Sequence, residues 1–102
     1  MEFPQYDSFL QSLHSSFEVH SDIGITIDLV LRTVTASGNN SSDTSSQAHQ
    51  SFSLIFEGNI EKQIPQGMHR FRHTQLGEFD LFIVPIGPER GSNQMRYEAI
   101  FN

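Results

Sequence analysis

The sequence predicts a mainly β (α+β) chain, a small antiparallel sandwich or partly open barrel of about six strands with one short N-terminal helix. Three observations predict it. Ile23, Ile25, Ile27, Leu29 and Leu31 alternate with Gly24, Thr26, Asp28, Val30 and Arg32, the period of a strand with one core face and one wet face. Gly58, Gly67, Gly77 and Gly87 recur nine, ten and ten residues apart in apolar-rich text, as turns between consecutive short strands would. The amino-terminal stretch holds Phe9, Leu10 and Leu13 at helical spacing.

Taken in order, the helix is expected to start at Asp7 or Ser8 as its cap, with Tyr6 before it as a hydrophobic staple, and to end near Ser15. Phe17 and Val19, alternating with Glu18 and His20, form the first strand, and the Ile23 to Leu31 run forms the second. Residues Ala36 to Gln50 read ASGNNSSDTSSQAHQ, with no large apolar side chain. They predict a mobile loop between two strands rather than a domain linker, because the residues before them are too few for a core of their own. Four strands follow: Ser51 to Glu57 with Phe52, Leu54 and Phe56 on one side, Met68 to His73, Glu78 to Ile86, and Met95 to Phe101. The glycine spacing predicts that they run as a meander. Phe79 to Ile86 is apolar on both faces, which predicts a central strand covered on two sides. Pro85 lacks a ladder donor and is read as that strand's end, a bulge being the alternative. Pro88, Gly91, Ser92 and Asn93 make the last turn, and the helix can plug an open barrel end.

The 102 residues, 36% of them hydrophobic and none of them Cys, suit one domain spanning residues 1–102. A net charge of −6 opposes nucleic acid and a bare membrane surface as partners. No apolar run approaches the ~20 residues of a membrane span, and MEFPQYDSFLQ lacks the cationic flank and apolar stretch of a signal peptide. Cytoplasmic residence is the default expectation, and export without a signal stays open because a Cys-free chain suits either redox environment.

The elements Phe52 to Phe56, Pro65 to Gly67, His69, Phe71 and His73, Leu76 to Gly77, Phe82 to Pro85, and Tyr97 to Asn102 follow a larger pattern. It is an FSLxF strand, a proline-glutamine-glycine turn, an aromatic, a leucine-like residue and a histidine, a Leu-Gly turn, an FLVP-like strand and a terminal YEAxFN. This pattern resembles a family of bacterial proteins of about this length known only as a domain of unknown function. The match is close in the carboxy-terminal half and holds in pattern in the rest. It departs at His69, where the family pattern has an aromatic such as tyrosine. The resemblance implies a free-standing β-rich bacterial protein, accessory to a phage-tail-like or secreted assembly, and implies no activity.

Five histidines, His14, His20, His49, His69 and His73, invite a test for metal. His69 and His73 share a strand face but stand roughly 13 Å apart along a regular strand, too far to share one ion. The segment GMHRFRHTQLGE has the glycine, histidines and glutamate of a cupin metal motif, yet lacks the close His-x-His pair. Glu18, His20 and Asp22 alternate on one face and are the best metal candidates, against the reading of three solvated side chains on an exposed strand. Alternation turns His69, Phe71 and His73 to the core side. A neutral His73 there would hydrogen-bond a backbone carbonyl or a carboxylate near the Leu76-Gly77 turn and fix the hairpin, so His73, Gly67, Gly77 and Pro85 are read as structural.

Arg70 and Arg72, joined by Arg96 from another strand, are candidates for a cationic stripe that binds a carboxylate or phosphate, against ordinary ion pairs with Glu78, Asp80 and Glu98. There is no Cys nucleophile, G-x-S-x-G elbow, P-loop or dinucleotide glycine signature, so no cofactor is expected and an enzyme is the minor reading. The leading expectation is a noncatalytic interaction or structural module. It would contact a protein partner or another copy of itself through a strand edge, the loop rim or the arginine face, with Phe3, Phe9 or Phe101 left exposed. The alternative is a small-molecule or metal-binding barrel with His69 and His73 at its mouth.

Overall fold

The structure, a computed structural model, describes residues 4–36, 51–88 and 91–101. It contains one helix, α1 (Tyr6–Gln11), and six strands: β1 (Ser16–His20), β2 (Thr26–Ala36), β3 (Phe52–Asn59), β4 (Gly67–His73), β5 (Gly77–Pro88) and β6 (Gln94–Phe101). The strands close into a barrel in the order β1-β2-β3-β6-β5-β4, every neighbouring pair antiparallel. Closure runs through β1 and β4, where Val19 lies opposite Phe71. No strand of the described barrel is left wholly unpaired on one side, although β1 covers only Thr26–Val30 of β2, so the open strand edge that the sequence reading offers a partner is reduced to partial stretches.

Alternation is realised strand by strand. Phe17 and Val19, Ile27, Leu29 and Leu31, Phe52, Leu54 and Phe56, His69 and Phe71, Phe79, Leu81 and Ile83, and Met95, Tyr97 and Ala99 all point into the barrel. The interior is packed with rings: Phe17 meets Phe56 edge-on at 5.4 Å between centroids, and Phe71 stacks on Phe79 at 5.8 Å. Phe9, expected among the exposed aromatics, is wholly buried, because α1 lays it against Phe52, Phe79 and Phe101 at one end of the barrel. Phe101 is partly buried by stacking on Phe52, while Phe3 and the predicted loop over 37–50 lie outside the described residues.

Several expectations are corrected. The helix begins after Gln5, has no side-chain cap and ends at Gln11, so Tyr6 belongs to its first turn and packs on Phe52. The Ile23 to Leu31 alternation is not one strand. Ser21 N–H donates to the Ile25 carbonyl and its Oγ accepts from Ile23 N–H, closing a β1–β2 turn that leaves Ile23 exposed. The meander holds for β4, β5 and β6 but not for β3, which pairs with β6 instead of β4. Gly58 is not a turn. It lies inside β3 opposite Met95, where an ideal Cβ would come within 2.4 Å of the Leu29 side chain, so its bare backbone makes room for that core residue. The chain turns at Asn59–Lys62 and crosses to β4, anchored by buried Ile64, whose N–H donates to the Tyr97 hydroxyl at 3.1 Å. Burial holds that hydroxyl's pKa above its ordinary value against the opposing effect of the Ile64 amide.

β5 also departs from expectation twice. It runs through Pro85 to Pro88, with a register shift between Pro85 and Gly87, so Pro85 marks a bulge rather than the strand's end. Only its inner face is covered: Phe82 and Ile86 on the other face are exposed.

Candidate functional site

The barrel's exterior divides into a charged region and an apolar one, both on β4 and β5. At the charged end the turn after α1 is pinned to β2, His14 N–H donating to the Leu31 carbonyl and Leu31 N–H to the Ser15 carbonyl. This brings Ser15 to the β4–β5 hairpin, 58 residues on, where its Oγ lies 2.9 Å from His73 Nε2. A Ser–His contact suggests a nucleophile and its base, but the protons run the other way. His73 Nδ1 accepts from the N–H groups of Gln75 and Leu76 at 3.1 and 3.3 Å, so the neutral ring carries its proton on Nε2 and donates it to Ser15. Ser15 Oγ in turn donates to the Ser12 carbonyl. A base for serine needs its lone pair on the nitrogen facing the hydroxyl, and here that lone pair is spent on the turn. The sequence-based expectation for His73 is thus corrected in direction: the ring accepts two turn amides instead of donating to a carbonyl or carboxylate. Burial lowers the His73 pKa, and the ring lies against Phe17 with centroids 4.4 Å apart. The turn itself depends on Gly77, which takes φ +83.

His73 lines an open cleft of about 430 Å³ with Glu18, Asp28, Arg72 and Glu78. Its charges are largely engaged with one another. Arg72 reaches Glu18 at 3.3 Å and Glu78 at 3.1 Å, and Arg70 reaches Asp80 at 2.6 Å and Glu78 at 3.4 Å. The hydrogen bond and charge of Asp80 raise the Arg70 pKa further above its usual value. The expected stripe of Arg70, Arg72 and Arg96 does not form. Arg96 lies at the far end of β5, opposite Gly87, and donates to that residue's carbonyl across the bulge at 3.2 Å.

The metal candidates also separate. Glu18 and His20 share β1 and approach to 3.3 Å, but Asp22 falls in the turn beyond the strand, because the chain reverses at Ser21. Among the described residues no three His, Asp or Glu side chains gather as metal ligands. His69 and His73 do not share an opening. His69 is buried inside the barrel with Nε2 2.8 Å from the Pro65 carbonyl, near Gly67 at the start of β4. Ser16 and Asp28 line the cleft and Ser15 bonds His73, and sequence reasoning gave none of the three a functional role. Ser15 gave no periodic signal, since its role is set by a partner 58 residues away.

The second region adjoins the first along the same strands. Met68 lies opposite Phe82 in the β4–β5 ladder, one pleat beyond the Arg70–Asp80 pair. Val84 lies opposite Glu98 at the end of the β5–β6 ladder, and Phe82 and Ile100 lie two residues beyond that pair on their own strands, toward the same end of the barrel. Met68, Phe82 and Ile100 are 53%, 46% and 64% exposed, and Ile86 is exposed beyond them. This is the part of β5 that sequence reasoning assigned to a covered second face. The apolar letters were legible; that no described residue buries them was not.

A family model described as a domain of unknown function (DUF6916) matches residues 4–101. No curated protein and no solved structure matches the chain.

Proposed function

The chain belongs to the family described as a domain of unknown function (DUF6916), and on that premise we propose that it is a noncatalytic protein-interaction or structural module whose contact surface is the outer face of β4, β5 and β6. One observation carries the reading. Met68, Phe82, Ile86 and Ile100 form an apolar band on the outside of a barrel whose interior is already filled by other side chains, so the band is not spare core. Large apolar side chains gathered on a surface are a common mark of a protein contact. The Ser15–His73 pair supports the same reading from the other side, because its protons are arranged to hold a turn rather than to activate a hydroxyl.

The test is photo-crosslinking in living cells, with a photoreactive aromatic amino acid at position 82 and, as control, at the exposed position 35 on β2. The reading predicts a discrete protein adduct from position 82 that is lost with Ile100→Asp and absent from position 35. Equal crosslinking from both positions, or none from position 82, would overturn it.

A further inference from the structure

We infer that the occupant of this face is a second copy of the same chain, packed about a two-fold axis that passes near Phe82. The inference rests on the preceding reading and adds the identity of the partner. Its basis is how charge is divided over the molecule. The chain carries −6, yet β4, β5 and β6 hold three basic residues, Arg70, Arg72 and Arg96, against three acidic ones, Glu78, Asp80 and Glu98. The entire excess of negative charge therefore lies elsewhere in the sequence. Two identical acidic chains repel over most of any approach, and this neutral face is where the repulsion is least.

A two-fold contact must also be complementary to itself, since the same patch meets its own copy. A face of net charge zero with both signs beside an apolar band meets that condition. A polycation or a polyanion would find no net attraction there. Phe82 stands at the middle of the band, with Met68 directly across the ladder on β4 and Ile100 toward it on β6. The three strands offer only about a dozen outward side chains, fewer than the ~20–30 per partner of a standard stable interface. The association is accordingly reversible and concentration-dependent.

The absence of Cys makes the test direct. Phe82→Cys places a thiol near the proposed axis, and Thr35→Cys places one on the exposed outside of β2. In a glutathione redox buffer Phe82→Cys should form a disulfide-linked dimer about tenfold or more faster than Thr35→Cys, through the effective concentration that pre-association supplies. Ile100→Asp in the same chain should bring the rate down to that of Thr35→Cys while circular dichroism shows the barrel intact. Equal rates for the two single-Cys chains would overturn the inference. If position 82 then still yields an adduct with a different protein in cells, the interaction reading survives and only the second copy is lost. If it yields none, both fall.

Discussion

His73 joins three segments that are distant in sequence: its own strand, the turn at Gln75–Leu76, and Ser15 after the helix. Both ring nitrogens are engaged in the neutral form. Burial of the ring penalises its charged form and lowers the pKa; protonating Nδ1 would also set a charged N–H against the two turn amides that it now accepts from. The unfolded chain takes up its proton around the ordinary value of 6.5, while folded His73 resists until lower pH. The unfolded state thus binds more protons in that window, and stability falls as pH falls through it. His73→Asn keeps an acceptor where Nδ1 lies and cannot titrate. Denaturant midpoints at about pH 7.5 and about pH 5 should drop more for the wild-type chain than for this variant, which loses about 1 kcal/mol at the higher pH from the missing Ser15 bond. Identical pH dependences would show that His73 is not the group responsible. Alternation placed His73 on the inner face, but the direction of its hydrogen bonds depends on a turn and a serine that periodicity does not describe.

The crossing from β3 to β4 separates this barrel from the meander that the glycine spacing predicts. Four glycines at nearly equal spacing read as four turns, yet Gly58 is there because Leu29 on β2 needs the space, a constraint from a residue 29 positions earlier. Pro85 was legible as an interruption of β5, and only the neighbouring strand β6 decides that the interruption is a bulge. Inward-facing positions were almost all readable, since a period of two survives whatever the strand order. Strand order was not, because pairing depends on which ends the connections reach. The 59–66 connection is held by Ile64, whose amide is satisfied by the Tyr97 hydroxyl in the core. Tyr97→Phe keeps the ring and leaves that buried N–H unpaired, a loss of about 1–3 kcal/mol. Amide hydrogen exchange should accelerate over residues 60–66 more than in β5, and uniform acceleration would contradict a local tether.

Over the molecule as a whole, closure of the barrel, the filled core and the partition of charge belong together. Closure gives every strand a neighbour on both sides, so side chains on the outer face, rather than a whole open strand edge, are what the described barrel presents to its surroundings. Among the described residues the exposed apolar side chains of β4, β5 and β6 lie on strands whose charges sum to zero, while the sequence concentrates its acidic excess elsewhere. The β5 pattern, apolar on both faces, announced that something covers this strand; the fold gives its inner face to the core and leaves Phe82 and Ile86 on its outer face exposed. No helix among the described residues is long and apolar enough to cross a membrane. The most direct measurement is light scattering of the purified chain across a concentration series, beside Phe82→Asp. The account predicts a mass rising from 11.6 kDa toward twice that value for the wild-type chain, and a constant 11.6 kDa for a folded Phe82→Asp. A wild-type chain that stays at 11.6 kDa throughout, or a variant that associates as readily, would contradict it.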